Sequence, residues 1–390
     1  MIKSQPLIII ALIILAIILR VALFEFTSSD LEIFLKEWFN YYDEVSLREA
    51  LRNPISNYTG PYNYLLFVAN VIQNLFENQF NFFVSDISMI KLINLPFEGL
   101  AIVSSVFIVG FYRKDQRSLF LAFGFVLFYP ILLLNSSFWG QCDIIYTSFL
   151  LASFACILND RPVFSVVLFG IALSFKFQAM FFAPYLLALV LQKRIKWHTL
   201  SFIPIVYVFM HIPSLLAGRG LFDVLGIYLN QAQSMPVLTA NAPNLYQLFH
   251  SYNVQLLPVI QAVEIVITFD MGVIYAMYIQ KYQELYHDWF DLAAAALSLM
   301  LMPYFLPSMM DRYFFTAELF LLLLAIVEHL FWFLPVLVGL ASLGAYYNSY
   351  SIMSLPLNSW PVQVGAIFNG IVTLVLLWKI SRNKPNEFQT

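Results

Sequence analysis

The chain has 390 residues, 61% of them hydrophobic and only 11% charged, with a mean hydropathy of +0.78. No soluble domain of this size hides so much apolar surface, so composition alone excludes a water-soluble globular protein and implies an all-α polytopic membrane protein. A net charge of −3 and a pI near 6.0 argue against nucleic acid as a partner. Cys142 and Cys156 make no disulfide framework: fourteen positions apart in one helical segment, they stand ~21 Å from each other by helix rise.

Apolar runs of about 20 residues mark membrane spans. In chain order they fall near 6–24, 92–112, 118–135, 142–158, 162–176, 177–193, 199–217, 255–280, 291–307, 313–328, 330–349 and 362–380. That makes twelve spans in one integral membrane domain, 1–390. The first starts after Lys3 without a small-residue cleavage site, and reads as a retained helix rather than a signal peptide. Cytoplasmic connections carry excess Lys and Arg. The basic connections here are 113–117, 159–161, 193–196 and the tail with Lys379, Arg382 and Lys384. This parity puts the N-terminus inside, and the 25–90 and 218–254 loops outside.

Within 25–90, the segment 61–80 is apolar enough to suggest a thirteenth span. It also carries Asn63, Asn70, Gln73, Asn74, Glu77 and Asn78, and so reads as an interfacial helix. Ahead of it, 31–42 is amphipathic. Glu32, Lys36 and Asn40 form a polar stripe, and Phe34, Leu35, Trp38, Tyr41 and Tyr42 face the other way. Ser29 and Glu32 have capping-box spacing, as do Ser46 and Glu49 before a short helix at 47–52. Both helices are expected to lie flat at the outer leaflet. The 218–254 loop is long, is rich in Tyr, Asn and Gln, and is broken by Pro236 and Pro243. Such loops are often binding surfaces or lids.

Four polar constellations fall on the same expected side. They are Ser28-Ser29-Asp30; Trp139-Gly140-Gln141-Cys142-Asp143; Lys176 with Gln178; and Asp311-Arg312-Tyr313. Ionisable groups at membrane depth cost at least about 2.5–3.5 kcal/mol each, so their convergence on one leaflet implies a polar cavity opening outwards. Singly, each has a plainer reading: a first-turn acid at Asp30, an interfacial acid at Asp143, a snorkelling Lys176, and a local ion pair at Asp311-Arg312. Together they have a chemistry. Lys176 and Arg312 could hold a phosphate, Arg312 in a bidentate manner. Asp30 is a candidate base for an incoming hydroxyl. Asp143 could orient Asp30 or the acceptor, or join it at a divalent cation, Mg²⁺ or Mn²⁺. No cofactor is firmly required. The histidines, His198, His211, His250, His287 and His329, are scattered without ligand spacing.

The motif set "SSD" with "W..YY", then "WGQCDIIYTSFLLAS", "GIALSFKFQAMFFAPYLL" and "LPSMMDRYFFTAELFLLLL" resembles membrane glycosyltransferases of the GT-C superfamily. It is most similar to bacterial relatives of the mannosyltransferase that adds the second mannose of the GPI anchor. The resemblance covers roughly residues 20–330. It implies a GT-C fold with juxtamembrane helices in the first external loop, and inverting transfer of a sugar, mannose favoured, from a polyprenyl-phosphate carrier. The acceptor would be a glycan, lipid or protein at the extracytoplasmic face. It assigns the base to Asp30 and a second catalytic acid to Asp143. Lys176 and Arg312 would hold the carrier phosphate, with Asp311, Gln141, Gln178, Trp139 and Tyr313 around donor or sugar. It also implies a bacterial plasma membrane with the site facing outside, or a lumenal site in the endoplasmic reticulum of a eukaryote. The sequence departs from the family where Met310-Asp311 replaces His-Glu ahead of Arg-Tyr-Phe. The alternative class is a transporter or flippase for a lipid-linked substrate. Such proteins usually show repeat symmetry and broken helices in matching halves, and neither is visible here.

Overall fold

The computed structural model describes residues 5–233, 237–249, 254–281, 289–350 and 359–382. Lys3, Pro236, His250, His287 and Lys384 lie outside them. Among the described residues the chain is almost wholly helical, with one pair of two-residue strands.

Six helices are long and apolar enough to cross a membrane: Pro6–Phe24, Asp86–Tyr112, Gln116–Phe138, Leu257–Gln280, His329–Tyr350 and Trp360–Arg382. The other six expected spans appear as shorter apolar helices, Asp143–Leu158, Pro162–Phe175, Phe177–Leu191, Trp197–Met210, Phe290–Phe305 and Phe315–Val327. The difference has a packing counterpart. Pro6–Phe24 and Leu257–Gln280 are mostly exposed, as suits helices facing lipid, whereas Phe290–Phe305 and Phe315–Val327 are buried along nearly their whole length. At 1.5 Å per residue the short central helices reach only ~20–24 Å, less than the ~30 Å hydrocarbon layer. Non-helical turns adjoin them, and those turns carry the polar motifs.

Two buried cations, Arg20 and Lys91, fix how the first helix docks. Arg20 donates from Nε to Glu98 Oε2 at 2.5 Å and from Nη2 to the Leu127 carbonyl at 3.0 Å. Lys91 donates from Nζ to the carbonyls of Leu23 (3.2 Å), Phe24 (3.2 Å) and Phe26 (2.5 Å), capping the orphan acceptors where the first helix ends. The chain therefore leaves the first helix and enters the second at the same end of the bundle. At the other end, Arg113 donates to the Val327 carbonyl (2.8 Å) and Arg194 pairs with Asp291 (2.8 Å), so two of the basic connections meet there.

Between Phe24 and Asp86 the chain makes one long helix, Gly60–Phe80, and it stays at the end where it began. Thr59 donates to the Phe175 carbonyl (3.1 Å), Asn70 to Asp43 (3.0 Å), and Gln73 to Asp86 (2.9 Å). Of the polar residues that argue against a span, Asn63, Asn70, Gln73 and Asn74 are thus spent on first-loop partners.

The first amphipathic segment differs from expectation in two ways. Ser28, not Ser29, caps it: Ser28 Oγ accepts from the Leu31 backbone N–H at 3.3 Å, while Glu32 accepts from Thr27 and pairs with Lys36. Leu31–Leu35 is a π-helical turn, continuing as an α-helix over Lys36–Glu44. The inserted residue shifts the helical phase. Leu31, Leu35, Trp38, Phe39 and Tyr42 are buried, whereas Phe34 is 48% exposed. The Leu47–Arg52 helix forms as expected, with Ser46 capping Glu49 N–H (3.3 Å), but Glu49 turns to Asn53 instead of closing the box. The buried face of Lys36–Glu44 packs on Gly60–Phe80 and not flat on lipid: Tyr42 donates to the Asn63 carbonyl at 2.9 Å.

Candidate functional site

The four constellations meet at one end of the bundle. Asp30 starts the π-turn of the first loop, its side chain 34% exposed. Gln141 donates from Nε2 to Asp30 Oδ2 at 3.2 Å, and Arg312 Nη1 stands 3.8 Å from the same oxygen. Asp143, at the first turn of its helix, is fully buried. Lys176 donates to its Oδ1, Asn135 donates to Oδ2 at 3.0 Å, and Arg312 Nε lies 3.6 Å from Oδ2. Arg312 Nη1 also donates to Asp311 Oδ1 at 3.2 Å, and Ser349 holds the other oxygen of Asp311. Two cations and three carboxylates thus form one network in which only Asp30 reaches substantially towards solvent.

Local backbone chemistry sets this geometry. A second π-turn, Leu133–Phe138, leads into Trp139-Gly140-Gln141. Gly140 has φ +76°, and a Cβ there would stand 2.4 Å from Leu31 Cδ1. Only glycine allows this handedness and this approach, and the approach brings Gln141 against Asp30. Glu98 and Asn94 brace the turn from beneath: Ser136 donates to Glu98 at 2.5 Å, and Asn94 Nδ2 donates to the Gln141 carbonyl at 2.9 Å. Lys176 sits where the helix Pro162–Phe175 stops, in extended conformation before a 3₁₀ turn, Phe177–Phe182. Asp311-Arg312 follows the strand Met309–Met310, which pairs in parallel with Thr239–Ala240 of the 218–254 loop. Asn241 extends the link, donating to Ser349 Oγ at 2.7 Å.

Aromatic rings wall the cations. The Arg312 guanidinium lies 5.3 Å from the Trp139 ring centre, and Lys176 Nζ lies 5.7 Å from that of Tyr58. Trp139 packs against Tyr346 and Tyr350. The carboxylates around Arg312 outweigh its burial and hold it charged well above its usual range. Burial dominates at Asp311 and pushes its carboxyl up, with Arg312 opposing.

Of the nine site residues expected from sequence, Asp30, Trp139, Gln141, Asp143, Lys176, Asp311 and Arg312 are directly linked. Tyr313 is buried with its ring 6.2 Å from Phe181, close enough for the site charges to act on its phenol. Gln178 is buried beside Lys176 in sequence, and its Oε1 has no hydrogen-bond partner. Sequence reasoning missed Tyr58, Asn135, Tyr346, Ser349 and Asn241. Asn135 and Tyr346 carried a signal: polar groups inside apolar runs that need buried partners. Arg312 Nε, Gln141 Oε1 and Asn135 Oδ1 are also buried without a hydrogen-bond partner. Such unmet groups beside a charge cluster are what a bound polar ligand would satisfy.

Asp143 does not fit a divalent-cation site with Asp30 in this arrangement, because both its oxygens are engaged by cationic or amide donors. Among the described residues no group of three or more His, Cys, Asp or Glu side chains is placed to hold a metal.

Fold and site together define a helical membrane protein with a charged, aromatic-walled site at one end. Compared with known proteins, the chain matches no family model, and no curated protein matches it.

Proposed function

We propose that the protein is an inverting glycosyltransferase of GT-C type, moving a sugar from a polyprenyl-phosphate carrier to an acceptor hydroxyl at the extracytoplasmic face. In this reading all twelve apolar helices cross the membrane, Gly60–Phe80 does not, and the basic connections are cytoplasmic. The observation that carries the reading is the placement of Asp30. It is a partly exposed carboxylate, held by Gln141 at 3.2 Å, beside Arg312 at 3.8 Å. A base next to a buried cation pair is the minimum needed to deprotonate a hydroxyl and receive a phosphate leaving group. The order of the WGQCD, SFKFQA and MMDRYF motifs adds to it.

Asp30 takes the proton of the acceptor hydroxyl as its oxygen bonds to the anomeric carbon. The bond from that carbon to the carrier phosphate breaks on the opposite face, and the electron pair leaves on the phosphate. Arg312 and Lys176 stabilise the developing charge, with Arg312 Nε offering an unspent donor. Asp143 serves as the positioning residue of this pair, since it touches both cations. Mannose is the favoured sugar through the family likeness, and Met310, where the family has histidine, stands in the strand next to the site.

The test is transfer by purified protein in detergent against a panel of polyprenyl-phosphate sugars, with and without EDTA. Turnover of one donor, lost in Asp30→Asn, supports the reading. Movement of intact lipid-linked sugar across a vesicle membrane without transfer would replace it with the transporter reading.

A further inference from the structure

A second polar cluster lies at the same end of the bundle, between the first loop and the segment 207–219, and the proposed chemistry makes no use of it. His211 is fully buried. Its Nδ1 is 2.7 Å from the Tyr207 carbonyl, which can only accept, so the proton sits on Nδ1 and Nε2 presents a lone pair. Nε2 has no partner. Tyr64 adjoins it: its hydroxyl meets Ser214 Oγ at 2.9 Å and accepts from Ser214 N–H at 3.2 Å. Gly60 lets both side chains close in, since a Cβ there would stand 2.7 Å from Tyr64 Oη and 3.1 Å from His211 Cδ2.

Arg219 borders this cluster. It leaves the turn at Gly218 (φ +104°), and its Nη1 is buried without a hydrogen-bond partner. Arg219 makes no ion pair among the described residues, although Asp223 is close enough to favour its charge and Tyr64 and Tyr207 feel it. Arg52, from the first loop, reaches the same turn: its Cδ and Nε come within 3.8 Å of the place a Gly218 Cβ would occupy. Leu216 and Phe222, on either side of Arg219 in the chain, are 80% and 85% exposed. In a helical membrane protein, such side chains at a helix-end turn sit among lipid.

We propose that Arg52, Tyr64, His211 and Arg219 form a binding site for the headgroup of an anionic, hydroxyl-bearing phospholipid such as phosphatidylglycerol. Arg219 Nη1, with Arg52, supplies donors for the phosphodiester. His211 Nε2 accepts from a headgroup hydroxyl. The apolar residues around the turn lie along the acyl chains. The site is separate from the charge network of Asp30 and Arg312, and does not depend on the transferase reading.

The test measures thermal stability and lipid retention by native mass spectrometry of delipidated protein in detergent. Phosphatidylglycerol, phosphatidic acid, phosphatidylcholine or inorganic phosphate is added back. Phosphatidylglycerol is expected to stabilise wild type and to be retained. Arg219→Gln and Arg52→Gln, both at surface turns, should each weaken retention about tenfold, the loss of one charge-assisted contact. Phosphatidic acid, without a glycerol hydroxyl to donate, should bind less well. Equal retention of phosphatidylcholine, or unchanged retention in Arg219→Gln, overturns the proposal. Equal stabilisation by inorganic phosphate overturns the lipid assignment, and equal binding of phosphatidic acid overturns the role of His211.

Discussion

Gln141 reaches across 111 positions of chain to donate a hydrogen bond to Asp30 at 3.2 Å. This joins the first loop to the turn ahead of Asp143. The bond orients one Asp30 oxygen while leaving the side chain accessible. Asp30→Asn is expected to cut transfer by about 10²–10⁴-fold, the usual worth of a general base, with an unchanged melting temperature. Gln141→Leu should cut turnover less, because it removes a contact that orients the carboxylate and leaves the carboxylate in place. Turnover of each variant, measured beside its melting temperature, separates the two roles.

Lys176 and Asp143 are a buried pair, and removing one partner strands the other. Lys176→Met should destabilise the protein by about 3 kcal/mol, at the low end for a broken buried pair because Asn135 and Arg312 still face Asp143. The double variant Lys176→Met/Asp143→Asn should recover most of that stability and none of the activity. Denaturation of the four proteins in a cycle, with turnover measured alongside, tests the pair. Additive losses in stability would show that the two residues act separately.

Gly140 tolerates no side chain. Gly140→Ala adds a left-handed backbone cost of ~1–2 kcal/mol to the 2.4 Å collision with Leu31. Adding Leu31→Ala removes the collision but not the backbone cost. The double variant should therefore regain part of its stability while turnover stays low, because the Asp30–Gln141 contact depends on that turn.

Asp311 gives a pH dependence of known sign. Burial raises its carboxyl above the ordinary aspartate value. A carboxyl raised on folding contributes stability that is complete below the unfolded pKa and is lost as pH rises through the folded one. Wild type should therefore lose this contribution above the usual aspartate range, and Asp311→Asn should not. The difference in melting temperature, variant minus wild type, should grow more positive between pH 4 and pH 7. A constant difference would mean that Asp311 keeps its ordinary value.

Much of the architecture was legible because membrane helices announce themselves by length and apolarity. The twelve apolar segments reappear as helices, and Leu47–Arg52 falls where its cap predicts. Half of them are shorter than the hydrocarbon layer, which a count of apolar residues does not resolve. The four constellations could be gathered from parity alone, since connections alternate ends. The pairings inside them could not. Nothing in the sequence says that Lys176 faces Asp143 or that Gln141 holds Asp30, because contacts across 33 and 111 positions are set by packing. The π-turn at Leu31–Leu35 escaped for a related reason. Its register is fixed by Leu31 against Gly140, so Phe34, expected on the packed face, turns outward.

The two π-turns give the site an unusual sensitivity to chain length. Each precedes or follows a residue of the candidate site directly: Leu31–Leu35 after Asp30, Leu133–Phe138 before Trp139. A π-turn is an α-helix carrying one surplus residue. Deleting that residue would leave an ordinary, stable helix, yet rotate what lies beyond it by ~100°. Point substitutions along these turns leave the count of residues intact. A one-residue deletion in the first turn would point Asp30 away from Gln141, and one in the second would also part Asp143 from Lys176.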